Sequence, residues 1–94
     1  MIGGMINMLN EVDKIMYELW LFNEYPTYEL EDGNVKIDLE AENYEVSQDY
    51  ETLSDYFENS NDFEITCWNE PHEAWNGCYN WRASLTVKKL LGDD

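Results

Sequence analysis

Residues 27–40 read TYELEDGNVKIDLE. Two alternating runs flank Asp32-Gly33, and Asp-Gly between such runs is the strongest short-range signal for a two-residue type I′ hairpin. The spacing predicts strands over residues 27–31 and 34–40, pairing Leu30 with Val35, Tyr28 with Ile37 and Pro26 with Leu39. Every apolar residue then shares one face. On the other, Glu29 opposes Lys36, Thr27 opposes Asp38 and Glu31 opposes Asn34.

Before this hairpin, Met5, Met8, Leu9, Val12, Ile15, Met16, Leu19, Trp20 and Phe22 follow helical spacing, which predicts a helix over residues 5–22. Its wide apolar face is suited to covering a sheet, and a second copy is the other candidate to meet part of it. Tyr25-Pro26 ends the helix, because the residue before proline is pushed towards extended geometry. After the hairpin, residues 41–46 read as a connection and Ser47 as the N-cap of a second helix over residues 48–59. Tyr50, Leu53, Tyr56 and Phe57 are expected inward, with Asp49 and Glu51 in the first turn, where the helix dipole favours acids.

Residues 62–68 alternate again, with Phe63, Ile65 and Cys67 on one face and Glu64, Thr66 and Trp68 on the other. Residues 69–77 read as a loop. In residues 78–87, Tyr79, Trp81, Ala83, Leu85 and Val87 share a face opposite Cys78, Asn80, Arg82, Ser84 and Thr86. Keeping apolar residues together pairs Ile65 with Trp81, Phe63 with Ala83 and Cys67 with Tyr79. The element order αββαββ predicts a single α+β domain over residues 1–94, a four-stranded mainly antiparallel sheet with two helices packed on one face. The middle strands could run parallel or antiparallel.

The chain has 94 residues, 44% hydrophobic and 15% aromatic, which fits a folded domain with a modest core. Its 21 acids against five bases give a formal net charge of −16. Such a charge repels itself and opposes binding to nucleic acid or anionic lipid, so a partner with a basic surface is expected. No apolar run is long enough to cross a membrane, and the first twenty residues do not read as a signal peptide. Two cysteines are too few for a disulfide framework, so a cytoplasmic location is expected.

Little in the chain points to catalysis or to a cofactor. Cys67 and Cys78 fall on opposite faces in the expected register and should stay reduced. With His72 they make Cys-x4-His-x5-Cys, which matches no common zinc spacing and lacks a fourth ligand. A Cys–His nucleophile pair would have no third group to orient it. The acids do not follow the calcium-loop pattern, and no metal site, cofactor site or enzyme activity is expected. Trp68, Asn69, Pro71, Trp75, Asn76, Tyr79 and Trp81 gather around the longest expected loop, as a ligand platform or as a loop packed down by its own tryptophans. Trp75 is the expected exposed aromatic and a candidate contact.

The acids themselves are the informative feature. Between Glu29 and Glu64 the only opposing base is Lys36. Asp38, Glu40 and, if the strand extends, Glu42 form a ladder with a spacing of about 6.7 Å. Glu51, Asp55 and Glu58 form a like-charge row at i, i+4 and i+7 of the second helix, where an ordinary solvated face would alternate signs. Glu29, Glu31, Glu45 and Asp49 complete the candidate partner-binding set.

In length, acidity and α+β character the whole chain resembles the small acidic phage-encoded DNA mimics that disarm host restriction and CRISPR nucleases, such as the Arn-like anti-restriction proteins of T-even phages. These mimics share charge layout and not sequence motifs. The resemblance implies an inhibitor in the host cytoplasm that occupies the DNA-binding cleft of a nuclease, as a two-fold dimer resembling a length of duplex. An acidic module that binds a basic partner other than a nuclease is the alternative expectation.

Overall fold

A computed structural model describes residues 8–21, 24–42, 45–75 and 79–90. Along the chain run helix α1 (Met8–Glu18), strands β1 (Thr27–Glu29) and β2 (Val35–Ala41), helix α2 (Glu45–Glu58), and strands β3 (Phe63–Trp75) and β4 (Tyr79–Lys89). The sheet order is β1-β2-β4-β3, with every neighbouring pair antiparallel. The fold is therefore the expected α+β arrangement. The open question of the middle pair resolves as β2 against β4, antiparallel, with β3 at the far edge.

Strict alternation in β2 sends Val35, Ile37 and Leu39 to one face, where the register sets them opposite Val87, Leu85 and Ala83. All six are essentially excluded from water. Val12 and Met16 of α1 and Val46, Leu53 and Phe57 of α2 join them in one core cluster, so both helices cover the same sheet face. Full burial of each large side chain contributes roughly 1.5–3 kcal/mol. Helix α1 lies over β1 and β2, and α2 over β3, β4 and β2. Polar ties fix α1 in place. Thr27 donates to Asp13 Oδ1 at 2.6 Å, and Lys89 pairs with Glu11 while standing 5.2 Å from the centroid of the Phe63 ring.

The β1–β2 turn differs from the expected type I′ form. Gly33 N donates to the Leu30 carbonyl at 2.9 Å and Leu30 N donates to the Asn34 carbonyl at 2.8 Å, which makes residues 31–33 a three-residue loop. Gly33 adopts φ 88°, whereas Asp32 keeps a negative φ; a type I′ turn needs both positive. Asp32 instead accepts the Asn34 backbone N–H at 3.0 Å. The extra loop residue slips the register to Thr27↔Ile37, Tyr28↔Lys36 and Glu29↔Val35. A one-residue slip exchanges the faces of a strand. Tyr28 therefore lies on the open face, and Thr27 turns inward to reach Asp13.

Helix α2 starts at Glu45, so Ser47 lies inside the helix and does not cap it, and Glu45 is the acid of the first turn in place of Asp49 and Glu51. The earlier start brings Val46, which is fully buried, onto the inward face of the helix with Tyr50, Leu53 and Phe57. Tyr56, expected inward, is 39% exposed.

The larger correction concerns residues 69–75, which are strand and not loop. They continue β3 as far as Trp75, so backbone groups expected to face solvent are paired with β4. The register becomes Phe63↔Lys89, Ile65↔Val87 and Cys67↔Thr86, with irregularities between Ile65 and Cys67 and between Asn69 and His72. The first inserts a residue, and the alternation reverses behind it. Cys67 consequently lies on the open face. Trp68 falls on the helix side, with its ring centroid 6.3 Å from that of Tyr50, edge-on. Cys67 is free and exposed. Cys78 and the expected placement of its side chain lie outside the described residues, as do residues 5–7 and 22 of the expected first helix.

Helix α1 closes with a Schellman motif. Leu21 N donates to the Met16 carbonyl at 2.8 Å and Trp20 N to the Tyr17 carbonyl at 3.0 Å, while Leu21 and Met16 are both buried. The left-handed position of this motif is usually glycine. Here it is Trp20, at φ 66°. A side chain in that conformation costs about 1 kcal/mol relative to glycine.

The hairpin geometry is testable at Gly33, where an added Cβ would meet nothing within 4 Å. Gly33→Ala should therefore destabilise through backbone strain alone, by about 1 kcal/mol, with Gly33→Asn milder and Gly33→Val worse. Urea unfolding with unchanged m-values measures the order; equal stability of the three would contradict the left-handed turn.

Candidate functional site

The two sides of the domain carry different charge. On the open sheet face the register sets Glu40 opposite Arg82, Glu64 opposite Lys88, Lys36 opposite Thr86 and Asp38 opposite Ser84, so acids and bases are interleaved. Arg82 Nη2 lies 3.2 Å from Glu40 Oε2, and Asn80 Nδ2 donates to the same oxygen at 3.0 Å. The expected ladder of Asp38, Glu40 and Glu42 is thus interrupted. Glu40 is engaged by a cation, and β2 stops at Ala41, with Glu42 in the bend beyond.

The helix side is different. With Val46, Tyr50, Leu53 and Phe57 turned inward, α2 exposes Glu51, Asp55 and Glu58 in one row. They are spaced by about 6 Å and about 4.5 Å along the helix axis. No Lys or Arg occurs anywhere in α2, and the ion pairs Arg82–Glu40 and Lys89–Glu11 leave all three acids out.

The remaining candidates are scattered. Glu29 and Glu31 are exposed at the β1 end of the hairpin, and Glu42 and Glu45 are exposed around the β2–α2 connection. Asp49 is half-buried and accepts a hydrogen bond from the Tyr25 hydroxyl, which gives it a structural role. Asp38 and Glu40 point away from the helices, so the structure sets the two expected ladders on opposite sides of the domain. A single flat cleft cannot receive both.

Exposed aromatics occur that the sequence did not single out. Trp75 belongs to β3, and its side chain, with the exposure expected of it, lies outside the described residues; among the described residues the large exposed rings are Trp20 at 90%, Tyr17 at 71%, Tyr28, Trp68 and Tyr56. Tyr56 lines a hollow with Lys14, Ile15, Glu18 and Phe63 and a second one with Leu19 and Asp55, which places the end of α1 beside the acid row of α2. Helical periodicity counts Trp20 as core. The overlooked signal is the lack of glycine or asparagine at the residue that ends the helix.

Two tyrosines are perturbed. Tyr50 is pushed up to about 12, chiefly by burial and then by the nearby Glu70 and Cys67, with the Asn69 backbone offsetting this only in part. The Asn69 backbone is near its buried hydroxyl, but no hydrogen bond of good geometry reaches that oxygen among the described residues. Tyr25 is raised further, first by burial and then by its hydrogen bond to Asp49 and the charge there. Among the described residues no group of His, Cys, Asp and Glu is arranged to hold a metal ion, and no helix is long and apolar enough to cross a membrane.

Compared with protein-family models, curated proteins and solved structures, the chain matches none. Its functional reading therefore rests on its own charge layout.

Both tyrosines keep their protons longer when folded, so their contribution to stability is complete below pH 10 and is lost as pH rises from about 10 towards 12 and beyond. Urea unfolding at pH 9, 10 and 11 should show this loss, and the Tyr25→Phe/Tyr50→Phe double variant should lose less. At neutral pH the two sites should differ in sign. Tyr25→Phe removes a hydrogen bond to a carboxylate and should cost about 1–2 kcal/mol, whereas Tyr50→Phe removes an unpartnered buried hydroxyl and should be neutral or stabilising by up to about 1 kcal/mol.

Proposed function

We propose that this chain is a DNA mimic, an inhibitor that occupies the DNA-binding cleft of a host restriction or CRISPR nuclease with the carboxylate-covered face of its helix layer. The observation that carries the reading is the exposed row Glu51, Asp55, Glu58 on a helix that contains no base. Like charges at these spacings weaken a helix, so folding does not account for them. A cleft lined with Lys and Arg does, because carboxylates on a packed helix reach it without the ordering penalty of a flexible acidic tail. Three charges over about 10.5 Å of helix are within a factor of about two of the 3.4 Å axial spacing of phosphates on one DNA strand. Steering by the net charge of −16 gives fast, salt-sensitive association. The same features underlie the resemblance to the phage mimics of restriction and CRISPR nucleases.

The test is displacement of duplex DNA from a panel of such nucleases in a gel shift. Inhibition should appear for the target and fade with added salt. The triple variant Glu51→Gln, Asp55→Gln, Glu58→Gln should be slightly more heat-stable yet bind about tenfold or more weakly, since each exposed charge contributes up to about 1 kcal/mol and about 1.4 kcal/mol is tenfold. Asp38→Asn with Glu40→Gln should leave inhibition nearly unchanged, because these acids face the other side. Binding of this protein to duplex itself would sink the proposal. A partner that DNA does not displace would instead indicate a basic protein outside nucleic-acid metabolism.

A further inference from the structure

The bases of this chain are unevenly placed. The strand registers put Lys36, Arg82 and Lys88 on the open sheet face, together with Asp38, Glu40 and Glu64. Three of the five bases thus share that face with three of the 21 acids. The face is neutral by formal charge, and the rest of the chain carries the whole −16. The signs are also mixed along the strands. Lys36 is followed on β2 by Asp38 and Glu40, while on β4 Arg82 and Lys88 flank Ser84 and Thr86. These two hydroxyl residues are short and nearly buried, so the middle of a face that neither helix covers is flat.

We infer that the open face is where two copies of this chain pair, sheet against sheet, whatever the acid row of α2 binds. A two-fold contact needs a patch that is complementary to itself, which a patch of one sign cannot be. An axis crossing the strands between Lys36 and Asp38 sets Lys36 of each copy opposite Asp38 of the other, and Thr86 opposite Ser84. It also brings the Glu40–Arg82 pair to the end of the other sheet that holds Lys88 and Glu64. The helix side offers no such match, since α1 carries Glu11, Asp13 and Glu18 against Lys14, and α2 carries no base. Nucleic acid and anionic lipid are opposed by the net charge. Strands about 4.8 Å apart, with side chains every 6.7 Å or so, give the face about 500 Å² per copy. That is small for a specific interface, so pairing is weak and reversible. The two α2 rows stay on the outer sides of the pair, facing away from each other. Pairing therefore makes one particle with two acidic surfaces, and not one longer strip.

Sedimentation equilibrium of the full-length chain, from about 10 μM to about 1 mM, reads the pairing directly. A reversible dimer should appear and should strengthen with added salt. Screening relieves a repulsion that grows with the product of the net charges, whereas each facing pair involves single charges. Lys36→Glu and Asp38→Lys should each weaken self-pairing about tenfold, because each sets like charges opposite one another twice. An equimolar mixture of the two variants should recover native pairing, since both contacts are then of opposite sign. The triple glutamine variant of α2 should pair no more weakly than the native chain. A second readout needs no variant: in 15N spectra recorded on dilution, the Ser84 and Thr86 amide signals should move and those of Glu51, Asp55 and Glu58 should not. A chain that stays monomeric at about 1 mM in about 0.5 M salt would overturn the inference. So would dimers that both charge reversals leave intact, or a mixture that fails to recover pairing. Dilution shifts confined to Tyr17 and Trp20 would place self-association at the end of α1 and overturn it equally.

Discussion

Burial of Val35, Ile37 and Leu39 against Ala83, Leu85 and Val87 commits one face of the sheet to the core, and the position of nearly every charged group follows from it. Because strand side chains alternate, the residues between them must stand on the other face, which no helix covers. Lys36, Asp38, Glu40, Arg82 and Lys88 therefore share that surface, and acids and bases there sit side by side. The helices, turned the other way, have only their outer surfaces for polar groups. In α2 those groups are carboxylates, hydroxyls and the amide of Gln48, without a base among them. One-sided burial thus converts a chain that is acidic throughout into a domain with one mixed sheet face and, on the other side, a second helix whose outer row is anionic.

A net charge of −16 on 94 residues works against compactness, and two of the five bases, Lys89 and Arg82, hold layers or strands together. Lys89 joins the end of the sheet to α1 through Glu11 and lies over the Phe63 ring, which meets Phe57 of α2 edge-on at 5.4 Å. Arg82 ties β4 to β2 through Glu40. Tyr25 and Thr27 use neutral hydroxyls to satisfy Asp49 and Asp13, two acids that would otherwise lie half-buried without a partner. Among the described residues the α2 row has no such relief. That contrast, between acids the fold accommodates and acids it leaves opposed to one another, is what gives the row its functional weight.

Trp20 departs from local preference at the level of the backbone. Its helix ends with both hydrogen bonds of the Schellman motif and with Leu21 and Met16 buried together, so the turn is well made apart from the residue at its left-handed position. Natural sequences mostly agree with themselves from one level to the next, and a disagreement confined to one exposed aromatic is informative.

Much of this architecture was legible in the sequence. Periodicity identified both helices and all four strands, since amphipathic burial has a period that composition cannot disguise. Alternation in residues 35–39 and 83–87 named the inner face correctly, and the spacing of Glu51, Asp55 and Glu58 put them together on one helix surface. What it misjudged were quantities set by a single residue of offset. Asp32-Gly33 closes a three-residue loop because Asp32 caps Asn34, and that slip moved Tyr28 to the open face. The bulge after Ile65 exchanged Cys67 with Trp68, and pairing with β4 carried β3 through residues that read as loop. Local pattern cannot resolve such offsets, because a shift of one residue leaves the composition of a strand unchanged while exchanging its two faces. The sequence by itself therefore determined that this would be an acidic α+β domain with a carboxylate row on its second helix. Only the tertiary structure decided that Asp38 and Glu40 lie on the opposite side from that row and that Trp20 stands exposed at the end of α1, because both depend on which face the core takes and on how the chain turns at its ends.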